Sequence, residues 1–424
     1  MSESGSPGFQ RITVLLFRAG CIYLILYFLF ISDFLTIYRV LWHINRPLTY
    51  LSDSLGLLLN KLFFNPAFKE IRFYDSYWTY SKLLTFFILA LVLAAIWTFA
   101  DKGQRSRKLF IYMHAFSRYY LFVGMFIYGI YKIFGNQLII SPHQFFQPMD
   151  FYRPQLVIWT AMAASKAYPV FGGIMEVLAA ILLLFRRTAT LGALIALSLL
   201  INVLVLDIGF DTPVKVFVFH LLFFNLIILW PNIKILYRLF ILKESETLSI
   251  VAPVVDQGKF KLPVYILKAM FIGIIIIPRI VSNINVNHKA KHNPYKNLIG
   301  IHEMDTTFGL GTDVSMKSIL PKKWKKFSIE QRNLFYTQLS DGTVSEYHLE
   351  ADTVKKNLLF ISFDSLNRGN LTYHQIDSVH WLFEGTENGD SLRFVTRQID
   401  IFKHPLLKDY GRIIWSWSPL TLPN

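Results

Sequence analysis

Long apolar runs separated by short basic connections dominate the first two thirds of the chain. A helix that crosses the roughly 30 Å hydrocarbon core of a bilayer needs about 20 mostly apolar residues. Stretches that approach this length predict about seven membrane-spanning helices, at residues 12–31, 83–100, 119–134, 168–185, 191–206, 214–230 and 262–278. The first is predicted to be a retained span, because its apolar core of about 20 residues exceeds the roughly 7–15 of a cleaved signal.

A different pattern follows the last span. Residues 282–320 are polar and predict a tether, and short segments rich in β-forming residues come after it. Ser340-Asp341-Gly342-Thr343 lies between two of these segments and is a hairpin signal. Frequent turns predict a small antiparallel sandwich or partial barrel. The predicted strands are residues 334–339, 344–349, 358–363, 371–376, 380–383, 392–395, 397–402 and 413–417.

The fold class expected from both patterns is a polytopic α-helical membrane bundle with a small C-terminal antiparallel β domain. An interfacial loop helix is predicted between Leu55 and Phe63, where apolar residues recur at helical spacing. Residues 155–164 are apolar but too short to span, so they are interfacial, re-entrant or packed over the bundle; packing is the preferred interpretation for both segments. The predicted segments are N-terminal spans with the loop helix (1–117), membrane core (118–230), cytoplasmic loop and last span (231–281), tether (282–320) and extracytoplasmic β domain (321–424).

Charge adds an orientation to this picture. Only 17% of residues are charged, and the formal net charge is +15. Residues 1–280 carry +13 of it, with basic residues concentrated on alternate short connections. Such connections face the cytoplasm, which predicts a cytoplasmic N-terminus and an extracytoplasmic C-terminal domain. Disorder and a soluble nucleic-acid-binding domain are excluded, and the single Cys21 excludes a disulfide framework, CxxC redox chemistry and a thiolate metal cluster within one chain.

Ionisable groups inside the hydrocarbon are costly and are usually paired or functional. Counting about 1.5 Å of rise per residue, four consecutive spans place polar side chains in one outer-leaflet layer. The catalytic candidates are Glu176 and His220, and the substrate-binding candidates are Tyr128, Lys132, Asn202, Asp207, Asp211 and Lys215. Asp211 and Lys215 are four residues apart, the spacing at which helical side chains pair.

This layer has two interpretations. In the first, it lines an outward-opening cavity in which Glu176 and His220 exchange protons, while Lys132 or Lys215 offsets an anionic head group. In the second, which is preferred, it is a buried network in which Lys132 neutralises Glu176 and fixes the helix register. No metal is expected, because the histidines of the β domain have no HxH or HxxxH spacing; they are His348, His374, His380 and His404. No phosphate loop, nucleophile elbow or HExxH motif occurs, so the sequence gives little support to the chemistries that use them.

Residues 118–230 resemble the DoxX-like family of integral membrane proteins, in its larger bacterial type with a C-terminal extracytoplasmic domain. The resemblance rests on Arg118-Tyr119-Tyr120-Leu121 with Tyr128-Gly129-Ile130-Tyr131-Lys132, on Gly173-Ile174-Met175-Glu176-Val177-Leu178, and on Asn202 and Asp207 with Phe210-Asp211-Thr212-Pro213-Val214-Lys215. It implies a four-helix core. Some members resemble a subunit of thiosulfate:quinone oxidoreductase and others are assembly or trafficking factors, so the family does not fix an activity.

The first expectation is therefore a bacterial inner-membrane protein that acts as a non-catalytic subunit or partner-binding protein of the cell envelope. Its bundle would engage a lipid, a quinone or a membrane partner, and its outer domain a periplasmic protein. The alternative is a membrane enzyme acting on a quinone or lipid-linked substrate at the outer leaflet. One form of that alternative is similar in architecture to the vitamin K-dependent carboxylase-like group, with Lys215 or His220 as the base.

Overall fold

The computed structural model describes residues 7–30, 50, 53–54, 56–58, 61, 75–101, 106–146, 152–251, 261–305, 324–331, 333–403 and 407. The chain divides into two compact units. The helical unit is Met1–Ile127 with Met175–Ile272, and the barrel unit is Tyr128–Ile174 with Gly273–Asn424. The unit boundaries differ from the predicted segment boundaries because they fall inside long helices.

Apolar side chains and few helix-breaking residues make the first part of the described chain helical. The helices are α1 (Pro7–Phe30), α2 (Tyr77–Ala100), α3 (Ser106–Ile133), α4 (Pro154–Ala163), α5 (Ala167–Leu184), α6 (Ala189–Gly209), α7 (Lys215–Leu229), α8 (Ile233–Tyr237) and α9 (Lys261–Lys291). Within the helical unit, α1 packs along α2, and α6 packs along α7. Ser76 caps α2, since its hydroxyl accepts the Thr79 backbone N–H at 3.4 Å.

Six helices among the described residues are long and apolar enough to cross a membrane. They are Ile12–Phe30, Tyr77–Ala100, Ala167–Leu184, Ala189–Gly209, Lys215–Leu242 and Leu262–Lys291. The predicted span at 119–134 lies almost entirely within α3, whose 28 residues include Arg118, Lys132 and several tyrosines that lower its hydropathy. The predicted membrane bundle agrees with these six helices, whereas the count of seven is not confirmed.

The C-terminal part forms a closed antiparallel barrel in which each strand pairs with the next and β1 pairs with β8. The strands are β1 (Gly300–Met304), β2 (Trp324–Ile329), β3 (Leu334–Leu339), β4 (Val344–Asp352), β5 (Asn357–Ser362), β6 (Arg368–Gln375), β7 (His380–Glu387) and β8 (Asp390–Ile399). The predicted antiparallel β domain is confirmed. Full closure replaces the predicted sandwich or partial barrel, because β1, within the predicted tether, joins β8 to β2.

Aromatic side chains fill the barrel interior. Trp324, Phe327, Phe335, Phe360 and Phe394 lie in its hydrophobic core. Space is so limited that a Cβ atom built on Gly369 would lie 2.1 Å from the Phe360 ring. Interior packing rather than hydrogen bonding alone therefore fixes how the eight strands fit together.

Two stretches of the predicted tether are regular structure. The polar residues 282–291 continue α9, although Pro278 lies inside that helix. Contacts with residues after α3 hold this extension: Asn136 donates to the Asn283 side-chain oxygen at 2.7 Å, and Asn287 donates to the Phe134 carbonyl at 3.1 Å. Polar composition therefore predicted a tether where part of the chain forms helix and strand.

Two other predicted elements fall partly outside the described residues. Of the interfacial helix predicted between Leu55 and Phe63, residues 56–58 and 61 are helical, whereas both end residues are not described. The strand predicted at 413–417 also lies outside the described residues. The two strands predicted at 392–395 and 397–402 are one strand, β8, with a buried Thr396 where the sequence suggested a break.

Candidate functional site

The predicted site residues divide between the two units. Tyr128 and Lys132 belong to the barrel unit. The others belong to the helical unit: Glu176 on α5, Asn202 and Asp207 on α6, Asp211 in the following turn, and Lys215 and His220 on α7. Three of these six side chains are buried, namely Glu176, Asp207 and His220.

His220 lies against two tyrosines of α1. Its Nδ1 is 2.6 Å from the Val216 carbonyl oxygen and its Nε2 is 2.8 Å from the Tyr23 hydroxyl. A carbonyl only accepts, so Nδ1 carries a hydrogen; in the neutral imidazole Nε2 then accepts the Tyr23 hydroxyl hydrogen. The ring also stacks on Tyr27, with centroids 3.6 Å apart. The lone pair that a general base needs is therefore engaged by Tyr23, a partner that the sequence pattern did not reveal.

The acidic residues after α6 interact locally. The buried Asp207 carboxylate accepts a hydrogen bond from the Thr212 hydroxyl. Asp211 is exposed, and its carboxylate pairs with the Lys215 ammonium at 2.7 Å, as the four-residue spacing predicted. This ion pair holds the pKa of Asp211 below its usual value, with the Lys215 hydrogen bond as the largest cause. Both contacts stabilise the turn that joins α6 to α7.

Asp75, which the sequence analysis did not single out, is the residue that caps α7. Its two carboxylate oxygens accept the backbone N–H groups of Lys215 and Val216 at 2.6 and 3.0 Å. Unpaired N–H groups and a partial positive charge at a helix N-terminus favour a carboxylate there. Asp75 thus occupies the position where a ligand anion would otherwise bind to α7.

Asn202 lies on α6 with an exposed side chain, so its place in the polar layer stays a prediction. Counting residues along a helix gives depth, whereas 3.6 residues per turn decide which face a side chain occupies. The buried amide is Asn225 on α7, which donates to the Ala193 carbonyl at 3.0 Å and ties α7 to α6.

Buried cations in the helical unit also contact helix ends and carboxylates. Arg118 donates to the Leu183 and Leu184 carbonyls at the C-terminal end of α5. Lys268 donates to the same Leu184 oxygen at 2.8 Å. The fully buried Arg18 on α1 pairs with Asp101 at 2.7 Å. These residues bind helices to one another.

Among the described residues, no group of three or more His, Cys, Asp and Glu side chains is placed to hold a metal ion; His404 lies outside them. His380 instead pairs with the Asp377 carboxylate at 2.7 Å and lies 3.4 Å from Asp305. Hydrogen bonds from the Val379 N–H and from His380 lower the pKa of Asp377 to about 2.

The described contacts of these polar groups stabilise each unit. They cap helices, close the α6–α7 turn and join α1 to α7 and α6 to α7. The neutralisation of Glu176 by Lys132 and the proton-exchanging cavity both stay predictions. Glu176 is buried in an apolar helix, and an ionisable group in such a position is usually paired or functional.

Part of the chain is similar to a bacterial protein. The uncharacterized protein YwoB of Bacillus subtilis (strain 168) is 33% identical over 134 residues, which are 31% of this chain and 85% of YwoB. No family profile matches the chain, and no solved structure matches it. Because the match covers most of YwoB, the chain belongs, through this stretch, to the same family as YwoB.

Proposed function

We propose that the protein is a non-catalytic, partner-binding component of a bacterial inner membrane, with a DoxX-like core in its helical part. In this proposal the N-terminus is cytoplasmic and the barrel is extracytoplasmic. The helices engage a lipid, a quinone or a membrane partner, and the barrel contacts a protein of the envelope.

The observation that carries this proposal is the filled interior of the barrel. Small barrels that carry ligands hold them inside, whereas here aromatic rings occupy that space to the point that one added methyl group at Gly369 would meet Phe360. Binding by this domain therefore uses its outer surface. The β5–β6 turn offers such a surface, since Phe363 and Leu366 are 68% and 78% exposed.

The contacts of the helical unit support the same proposal. A catalytic histidine needs a free nitrogen facing its substrate. The described contacts of His220 place one nitrogen on Val216 and the other on Tyr23, and stack its ring on Tyr27. Its geometry is that of a residue that joins two helices.

A photo-crosslinking amino acid at position 363 tests the proposal in native membranes of the source organism. We expect a discrete protein adduct from position 363 on the β5–β6 turn. The matched control is position 355, because Lys355 is also exposed but lies in the β4–β5 turn at the opposite end of the barrel. Equal adducts at both positions, or lipid adducts alone, would refute a specific protein partner on the β5–β6 turn.

A membrane enzyme acting on a quinone or lipid-linked substrate is the second candidate. The burial of two carboxyl side chains, Glu176 and Asp207, within apolar helices favours it. Mass spectrometry of small molecules that co-purify with the full chain distinguishes the two candidates. A quinone retained by the natural protein and lost on both Glu176→Gln and His220→Ala would support the enzyme; the same ligand content in all three proteins would oppose it.

A further inference from the structure

Two cations from different helices meet at the C-terminal end of α5. Arg118 on α3 donates through Nε and Nη2 to the Leu183 carbonyl at 3.0 and 2.9 Å, and through Nη2 to the Leu184 carbonyl at 3.0 Å. Lys268 on α9 donates to that same Leu184 oxygen at 2.8 Å. A single carbonyl oxygen thus brings a guanidinium and an ammonium group together.

Aromatic rings hold the two cations in place. The Tyr119 ring centroid is 5.9 Å from the Arg118 guanidinium carbon and 5.8 Å from the Lys268 nitrogen. The Phe185 ring centroid is 5.7 Å from the same Lys268 nitrogen. Ring faces attract cations without neutralising them.

More positive charge follows directly along the chain. Arg186 and Arg187 begin the connection from α5 to α6, and Arg186 is close enough to Arg118 for the two to repel each other. The C-terminal end of α5 and the connection that follows it therefore bring several basic side chains together.

We propose that the basic cluster formed by Arg118, Arg186, Arg187 and Lys268 binds the phosphate of an anionic phospholipid head group. Basic pockets between membrane helices recognise such head groups, and Arg and Lys are the side chains that pair with phosphate. Exposed apolar side chains beside the cluster, Phe185 and Leu191, suit the acyl chains. By the predicted orientation, the lipid belongs to the cytoplasmic leaflet.

This inference deepens the proposed function and rests on it in one respect, that the helices lie in a bilayer. It makes no use of the barrel. Failure of lipid binding would leave the crosslink expected at position 363 untouched, and absence of that crosslink would leave lipid binding untouched.

Native mass spectrometry of the full chain in detergent tests the inference by titration with phosphatidylglycerol and with phosphatidylcholine of the same acyl chains. We expect phosphatidylglycerol to bind more tightly. Lys268→Gln and Arg187→Gln are each expected to weaken it about fivefold, the effect of roughly 1 kcal/mol per basic residue. Lys289→Gln is the matched control, because Lys289 is exposed at the other end of α9 and its loss should change nothing.

Each other outcome has a definite meaning. If Lys268→Gln does not fold, Arg187→Gln decides, since Arg187 is exposed and lies outside the helices. Equal binding of both lipids, or unchanged phosphatidylglycerol binding in the variants, would overturn the inference. A third arm adds inorganic phosphate: displacement of phosphatidylglycerol at millimolar phosphate would show a site for free anions rather than for a lipid.

Discussion

Burial keeps the imidazole of His302 neutral inside the barrel. The ring stacks on Phe327 with centroids 4.9 Å apart, and its Nε2 donates to the Leu298 carbonyl at 2.9 Å. Its Nδ1 lies 3.2 Å from the Thr396 hydroxyl, which completes the pairing of both nitrogens. Loss of hydration lowers the pKa of His302 from 6.5 to about 4, because the charged form finds little stabilisation in this interior.

The barrel should consequently become less stable as the pH falls from 6.5 to about 4. In that window the unfolded chain binds a proton at His302 and the folded chain does not, so the free energy of unfolding decreases, by about 3 kcal/mol in all. Hydrogen exchange of the barrel amides, corrected for the intrinsic effect of pH, measures this. His302→Phe should remove most of this dependence of barrel stability on pH. An unchanged dependence would contradict the assignment of the effect to His302. Asp377 contributes only below its ordinary value of 3.8.

Gly369 is the residue at which the tightness of the barrel interior is most directly testable. Gly369→Ala places a methyl group against the Phe360 ring, where an ideal Cβ would lie 2.1 Å from the nearest ring carbon. We expect the barrel to lose about 1–3 kcal/mol of unfolding free energy. Adding Phe360→Leu should recover part of the loss, and strictly additive effects in a double-mutant cycle would argue against the clash.

Asn202 and Asp75 show which properties of a single side chain the sequence could and could not supply. The helical rise per residue predicted how deep Asn202 lies in the bilayer, but it could not predict which helix, if any, its side chain contacts. The side chain is exposed. Asp75 precedes α2 and contacts the first residues of α7, 140 residues later in the chain. Contacts at that separation leave no periodic signal. The Asp211–Lys215 pair was predictable because the two residues are only four positions apart in the sequence.

Among the helices, α7 depends on a cap from outside its own sequence. Asp75→Ala would leave the backbone N–H groups of Lys215 and Val216 without their carboxylate acceptors. We expect the free energy of unfolding to fall by about 1–2 kcal/mol, since the Asp75 carboxylate both accepts the unpaired backbone N–H groups and interacts favourably with the helix dipole. Thermal unfolding in detergent measures it. Asp211→Ala is the matched control, since the exposed Asp211 pairs with Lys215 at the same helix end and its loss should matter little; equal effects would contradict the cap.

The short helix Pro142–Phe145 is fastened to the barrel within the barrel unit. The Glu330 carboxylate accepts the backbone N–H of His143 at 3.1 Å and contacts its Nδ1 at 2.8 Å, while the ring stacks on Tyr336. Gln338 donates to the Phe146 carbonyl at 2.6 Å. Glu330→Ala should therefore speed hydrogen exchange of residues 142–146 by roughly tenfold, the loss of about 1.4 kcal/mol of charge-assisted bonding. Glu346→Ala is the control, since Glu346 accepts a hydrogen bond from the hydroxyl of the same Tyr336 at 2.9 Å.

Local signals determined how well each strand was predicted. β3 was predicted at its observed bounds, because a run of β-forming residues ends at Ser340-Asp341-Gly342-Thr343. β8 was split in two because a buried polar residue, Thr396, interrupts its apolar pattern; only the partner His302, 94 residues earlier, explains that burial. Barrel closure was not predictable for the same reason, since the pairing of β1 with β8 joins residues about a hundred positions apart.

The distribution of charge differs between the long apolar helices and the barrel, and this difference bears on which side of the membrane each part faces. Positive charge accompanies the helices, whereas residues 281–424 are nearly balanced at +2. A nearly neutral, tightly packed barrel following the last long apolar helix suits an exported domain. Its connection is helical as far as Lys291, and β1 begins at Gly300, so little chain separates the two.

Cysteine labelling of intact cells tests this orientation. The natural chain has one cysteine, Cys21, which is buried and should give little background. A cysteine introduced by Ser391→Cys lies on the exposed end of β8, and one introduced by Arg187→Cys lies on the α5–α6 connection. If the basic connections are cytoplasmic, a membrane-impermeant maleimide that reaches the outer face of the inner membrane labels position 391 at once and position 187 only after permeabilisation. The reverse order would place the barrel in the cytoplasm. That result would also contradict an envelope partner for the barrel and the cytoplasmic leaflet assigned to the basic cluster.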